Sequence, residues 1–249
     1  MTTTTGYKIV VMSDLHLGMK DSSPKKILDF LDGIHTDLLI LNGDIIDIDA
    51  IKRGSKWKNK HTKVLMKILD MSRKTEVIYI KGNHDSDLEE LFGFELGNIK
   101  FVDEYIWNQK IWIEGDIFED KKILFFHGDK IDITVKYKFL TYIGSIGYDL
   151  ALRLNTLYNN YRIKIGKPYY SISKKIKENF KEAVTFINRF EENACNYGKS
   201  KGCKIVVCGH IHIPAKKNIN GIEYYNSGDW VENFSALVLT KENEWKLIV

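Results

Sequence analysis

The sequence predicts an α/β fold, a β-sandwich flanked by helices and interrupted by a helical insertion. Three observations predict it. Five short apolar runs each end in a polar turn marked by glycine or aspartate, helical patterns separate the first three runs, and a long interval near residues 130–201 breaks that rhythm before strand-like runs close the chain.

The first run, Tyr7-Lys8-Ile9-Val10-Val11-Met12, leads into Ser13-Asp14-Leu15-His16-Leu17-Gly18, and Met1 to Gly6 before it read as a short polar tail. A helix is expected from Pro24 to Ile34, with proline at its start and Ile27, Leu28, Phe30 and Leu31 apolar. The second run, Leu38 to Leu41, leads into Asn42-Gly43-Asp44. Another helix is expected from about His61 to Arg73, where Val64, Leu65, Ile68 and Leu69 share a stripe. The third run, Val77 to Ile80, ends at Gly82-Asn83-His84-Asp85. Strand, helix, strand, helix, strand implies parallel pairing with right-handed crossovers. The fourth and fifth runs, Ile123 to Phe126 and Ile205 to Cys208, lead into His127-Gly128-Asp129 and Gly209-His210-Ile211-His212. All five runs are nearly continuous in apolarity, which is how strands buried on both faces read. Glu223 to Tyr225, Ser235 to Leu239 and Trp245 to Ile248 read as closing strands of a second sheet.

Within the interval 130–201, Ser173 would cap a long helix carrying Ile176, Phe180, Val184, Ile187, Phe190 and Ala194 at helical spacing. Tyr148 to Tyr161 also reads as helical. Phe180, Val184 and Ile187 are expected in a core, while the Tyr137 to Tyr148 stretch is left open between packing and acyl-chain contact. The whole chain of 249 residues is thus read as one domain with an insertion, or lid, at about 130–201.

Charge is unevenly spread. Residues 130–201 hold fourteen Lys/Arg against six Asp/Glu, leaving 23 basic and 27 acidic residues elsewhere. That balance suggests metal-binding carboxylates in the body and an anion-facing surface in the insertion. Cys195, Cys203 and Cys208 form no C-x-x-C pair, so buried structural thiols in a reducing cytoplasm are expected and a disulfide framework is not. The chain has no apolar run of membrane-spanning length, and its start lacks the basic and apolar regions of a signal peptide.

The chemistry lies in the five turns. They supply Asp14, His16, Asp44, Asn83, His127, His210 and His212, and five of the seven histidines fall in them. Carboxylate, imidazole and amide oxygen make a ligand set suited to first-row divalent ions. Any single Asp-x-His or His-x-His is weak evidence, and Gly-Asp and Gly-Asn are common turn dipeptides. Five such clusters, each directly after a strand, are a different matter. His35 and His61 stand outside them and are read as surface residues.

The ordered blocks Asp14-Leu15-His16, Gly43-Asp44, Gly82-Asn83-His84-Asp85, His127-Gly128-Asp129 and Gly209-His210-Ile211-His212 resemble the full signature of the calcineurin-like metallophosphoesterase superfamily. The resemblance implies a two-metal hydrolase. Asp14, His16, Asp44 and His212 would bind one ion and Asp44, Asn83, His127 and His210 the other, with Asp44 bridging. His84 would serve the leaving group, with Asp85 orienting its ring. Two divalent ions are implied, manganese first, with iron or zinc as alternatives.

Residues 13–18, Gly43-Asp44-Ile45-Ile46-Asp47, Lys167 to Ser173 and Asn226-Ser227-Gly228-Asp229-Trp230-Val231-Glu232 resemble the UDP-2,3-diacylglucosamine pyrophosphatase family. That likeness implies hydrolysis of UDP-2,3-diacylglucosamine to UMP and 2,3-diacylglucosamine 1-phosphate, a step of lipid A synthesis. The basic, tyrosine-bearing insertion adds the expectation of a cytoplasmic protein peripheral to the inner membrane, in contact with anionic lipid. The best-known branch has arginine where this chain has His84, which sets the chain in a divergent branch. Two rivals remain: a nuclease or nucleotide phosphodiesterase, marked by salt-sensitive oligonucleotide binding, and a metal-free interaction module. Nucleic acid is not the expected partner, and the intact ligand set argues against the module.

Overall fold

The computed structural model describes residues 4–91, 93–114, 117–132, 162, 165–166 and 172–248. The chain divides into two compact units, Met1–Ile131 with Asn193–Val249, and Asp132–Glu192.

The elements of the first unit follow in chain order. They are β1 (Thr5–Met12), α1 (Pro24–Asp32), β2 (Ile34–Asn42), α2 (Ile48–Lys52), α3 (Asn59–Met71), β3 (Glu76–Ile80), β4 (Glu95–Leu96), β5 (Ile99–Val102), β6 (Tyr105–Glu114) and β7 (Ile117–Phe125). The 29-residue α4 (Ile172–Ser200) belongs to the second unit up to Glu192 and to the first from Asn193, and β8 (Ile205–Cys208), β9 (Ala215–Ile219), β10 (Ile222–Asn226), β11 (Ala236–Thr240) and β12 (Trp245–Ile248) complete the first. One sheet has seven strands in the order β12-β11-β1-β2-β3-β5-β4, and the other has five in the order β6-β7-β8-β10-β9.

As expected, β1, β2 and β3 pair in parallel. Their continuous apolarity has a structural cause. Val10, Met12, Leu39, Leu41, Val77 and Tyr79 pack with Ile27, Leu31, Val64 and Ile68 of α1 and α3. The alternate residues Ile9, Val11, Leu38, Ile40, Ile78 and Ile80 pack with Ile123, Phe125, Ile205 and Val207 of the five-stranded sheet. Both faces of these strands are interior, so both parities are apolar.

Several expectations need correction. Thr5 and Gly6 belong to β1, not to a tail. Helix α1 stops at Asp32, where the Gly33 N–H bonds Phe30 O, and Ile34 opens β2. Of the closing strands only β10 joins the five-stranded sheet. β11 pairs antiparallel with β1 and β12 with β11, so both extend the first sheet.

In the second unit α4 begins at Ile172, which puts Ser173 inside its first turn and not at the cap. Val184 is exposed and Ile187 half-buried; Phe190 and, in the first unit, Ala194 are buried. The expected helix from Tyr148 to Tyr161 lies outside the described residues, as does the Tyr137 to Tyr148 stretch. All three cysteines are free and buried, and burial pushes the Cys208 thiol well up, as suits a structural thiol. Among the described residues no helix is long and apolar enough to cross a membrane.

Candidate metal centre

The loops that follow β1, β2, β3, β7 and β8 meet at one end of the sandwich. Three ligand groupings form there: Asp14 with His16 and His212, Asp44 with His127 and His210, and His16 with Asp44 and His84. His212 Nε2 lies 3.0 Å from Asp14 Oδ1, and His127 Nε2 lies 3.3 Å from Asp44 Oδ2. His16 Nε2 stands 3.9 Å from Asp14 Oδ1 and 3.8 Å from Asp44 Oδ2. Asp44 thus faces both histidine groups.

The backbone is bent to achieve this. Asp14, His16, Asp44, His210 and His212 all have φ between 44° and 68°, the left-handed region that non-glycine residues rarely occupy. Among the described residues only three other non-glycine positions do so. Such strain persists only where surrounding contacts enforce it. Here Asp14 N bonds Gly43 O at 3.0 Å, His16 N bonds Asp44 O at 3.0 Å, and His210 N bonds Asp14 Oδ2 at 3.0 Å. Close approach also needs glycine: a Cβ on Gly43 would run into the His127 ring, and one on Gly82 into the backbone and carboxylate of Asp44.

Imidazole orientation follows from the second ring nitrogen. His127 Nδ1 lies 3.0 Å from Asn42 O, which only accepts, so Nδ1 carries a proton and Nε2 is the nitrogen turned toward Asp44. His16 Nδ1 lies 3.1 Å from Asp47 Oδ2, and His84 Nδ1 lies 3.2 Å from Asp47 Oδ1. One carboxylate therefore orients two rings while its Oδ1 also accepts the Ala50 N–H at 2.7 Å and caps α2. Carboxylates that fix histidines in this way are a recurrent support of metal sites.

Asp85 does not orient the His84 ring, contrary to expectation. Its buried carboxylate accepts from Ile45 N at 3.1 Å, Ile46 N at 2.8 Å and the Tyr79 hydroxyl at 2.9 Å, clamping the loop after Asp44. The chain turns at His84, so adjacent side chains diverge, and the ring meets Asp47 from 37 residues earlier. Asp47 closes the Gly43-Asp44-Ile45-Ile46-Asp47 motif. The signal that marks it is an aspartate opening a short helix, which brings its oxygens to a fixed place.

Other support comes from outside the five blocks. Asn233 Nδ2 donates to His212 O at 2.8 Å and to Asp229 Oδ2, and Ser13 Oγ donates to Gly228 O at 2.9 Å. His61, expected at the surface, is buried and accepts the Gly18 N–H at 3.1 Å, so α3 holds the end of the first loop. His35 is exposed, as expected, although it lies within β2.

The electrostatics call for positive charge. Burial alone would raise Asp14 and Asp44, but His212 beside the first and His127 beside the second hold both well below the usual carboxylate range. Burial opposes protonation of His127, yet Asp44 and Asp14 raise it to about 10. Burial, followed by the Asp44 charge, lifts Asp85 to about 6. The buried oxygens Asp14 Oδ1, Asp44 Oδ2 and Asn83 Oδ1 accept no hydrogen bond. His16 Nε2 and His212 Nε2 stand 3.3 Å apart, as do His210 Nδ1 and His127 Nε2. Ring nitrogens and carboxylate oxygens crowd together here, and orphaned buried acceptors of this kind fit divalent cations.

The sequence profile of the calcineurin-like phosphoesterase family matches residues 7–214. No curated protein matches the chain. Among solved structures, YfcE, a phosphoesterase from E. coli, is similar at 14% identity with a TM-score of 0.43, over 96% of this chain and 97% of that one. A novel archaeal phosphodiesterase shares 16% identity at a TM-score of 0.41, over 97% and 98% of the two chains. A single mutant of Vps29 from Entamoeba histolytica shares 12% at 0.39, over 96% and 97%.

Proposed function

The chain belongs to the calcineurin-like phosphoesterase family, hydrolases of phosphoric esters, and from that premise we propose that it cleaves the diphosphate of UDP-2,3-diacylglucosamine to UMP and 2,3-diacylglucosamine 1-phosphate. The observation that carries the two-metal part is the pair of orphaned buried oxygens on Asp14 and Asp44 amid the imidazoles of His16, His127, His210 and His212, with Asn83 Oδ1 likewise buried without a hydrogen bond. Asp14, His16, Asp44 and His212 hold one cation in this reading, and Asp44, Asn83, His127 and His210 hold the other. Manganese is the proposed metal. Bound there, two divalent cations activate water and neutralise the charge of the phosphate under attack.

The chain's own side chains supply the rest. In its imidazolium form His84 donates the Nδ1–H to Asp47, and the Nε2–H is the proton that passes to the leaving oxygen. Asp85 fixes the loop beneath Asp44 through two backbone N–H groups. The Asn226 to Glu232 motif carries the likeness to that family, and the basic charge of segment 130–201 suits a nucleotide diphosphate and an anionic lipid surface. Attachment to the membrane is then peripheral and weakened by salt.

The test is metal analysis followed by a substrate panel. Turnover of UDP-2,3-diacylglucosamine well above that of bis-p-nitrophenyl phosphate, UDP-glucose and a short oligonucleotide is expected, with binding to anionic vesicles that falls as salt rises. Preference for the oligonucleotide would replace the lipid reading with a nuclease. Turnover of no phosphate ester with metal bound would sink both.

A further inference from the structure

A second cleft lies between the two sheets. It has a volume of about 480 Å³, within the range of small-molecule sites. Ile205, which opens β8, and Glu223, its partner on β10, stand in its wall. His210 follows the other end of β8, five residues on, so the metal-ligand loops are roughly 15 Å away along the strand.

The lining is polar in an incomplete way. Gln109 is 2% exposed, and among the described residues its side chain makes no hydrogen bond; its Oε1 is buried without a partner. Trp245 is 6% exposed, and its Nε1–H has no acceptor either. Buried amides and indoles normally find partners. Lys216 reaches across from β9 and donates to the neutral Trp245 O at 2.9 Å, with the Tyr225 ring 5.8 Å from its ammonium. No carboxylate pairs with it among the described residues. Lys121, by contrast, meets Glu223 Oε1 at 3.3 Å, and the Tyr225 hydroxyl donates to Glu223 Oε2 at 2.5 Å.

We propose that this cleft binds a small hydroxylated anion, of which a sugar phosphate and a sugar acid are the two sources. The anionic group would take the free charge of Lys216, while hydroxyls would donate to Gln109 Oε1 and meet Glu223 and Asn243 at the rim. The Trp245 indole, packed against the Tyr225 and Phe125 rings, reports on occupancy. The site neither shares a residue with the metal centre nor depends on the reading of its substrate.

The experiment titrates the full chain with glucose 6-phosphate, gluconate and inorganic phosphate. The readout is the Trp245 indole 15N–1H resonance, assigned by its loss in Trp245→Phe. Saturable movement of that resonance by glucose 6-phosphate, gluconate or both is expected, with the Trp57 resonance still, and the two arms identify the source. Lys216→Met and Gln109→Leu should each weaken binding at least tenfold. Lys216 lies exposed on an edge strand, so its variant tests the site with the core intact. No movement of Trp245 at millimolar ligand, or unchanged affinity in both variants, would overturn the proposal. Inorganic phosphate binding as tightly as the hydroxylated anions would overturn its polyol part.

Discussion

Replacing Asp47 with Asn alters a few atoms yet sets three hydrogen bonds against one another. Oδ1 accepts from Ala50 N at 2.7 Å and faces His84 Nδ1 at 3.2 Å, while Oδ2 faces His16 Nδ1 at 3.1 Å. The amide oxygen is best spent where two donors meet, on the Ala50 and His84 side. The amide nitrogen then confronts the His16 Nδ1–H, donor against donor. His16 escapes by moving its proton to Nε2, the atom that faces Asp14, Asp44 and His212, and a protonated nitrogen binds no metal. The helix cap survives, so stability should fall by no more than about 1 kcal/mol. Loss of a carboxylate behind a ligating histidine costs about 10–100-fold in metal affinity or activity, which is about 1.4–2.7 kcal/mol. Metal content at limiting manganese, kcat on a model diester and a urea melt separate these effects. Asp47→Ala should add loss of the cap and of His84 orientation. Metal affinity and kcat both unchanged in Asp47→Asn would refute the argument, because among the described residues no other carboxylate pairs with His16 Nδ1.

Three further variants probe the same loops. Asp44→Ala should lose metal from both positions while the strands beneath stay folded; two ions retained with wild-type activity would remove Asp44 from its role. His84→Ala should keep its metal and lose roughly 10²–10⁴-fold in rate, less for p-nitrophenyl than for alkyl esters, and equal losses for the two would count against proton donation by Nε2. Asp85→Ala strands two buried N–H groups and the Tyr79 hydroxyl, so a loss of about 3–5 kcal/mol in chemical denaturation is expected, and a change below about 1 kcal/mol would show that the loop finds other acceptors.

The layer order around β1, β2 and β3 was legible because strands interior on both faces leave no polar parity, and each of the five clusters follows such a strand. The strands from Glu95 to Glu114 were not. Tyr105-Ile106-Trp107-Asn108-Gln109-Lys110 mixes polar and apolar residues and ends in no motif. β9 reads Ala215-Lys216-Lys217-Asn218-Ile219, a charged edge strand that resists pairing with other chains and so hides from an apolar scan. β11 and β12 were seen as strands, but their sheet depends on pairing with β1 more than 220 residues earlier, which no local pattern encodes. The proposed ligands were read from their types and spacing. Their supports were harder: chain adjacency pointed to Asp85 for His84, and only the fold brings Asp47 there. His61 looked like a surface histidine because its acceptor role toward Gly18 is equally non-local.

The left-handed backbone at Asp14, His16, Asp44, His210 and His212 sets function against robustness. Each of these residues occupies a conformation that glycine adopts freely and asparagine tolerates well, at about 1–2 kcal/mol for other side chains. Substituting glycine at His16 or His212 relaxes the main chain but takes an imidazole away from the buried carboxylates of Asp14, Asp44 or Asp47. In the metal-free protein the two effects oppose each other, while catalysis disappears. The bend is therefore held by the same side chains that would hold the cations, and selection for the reaction maintains both at once.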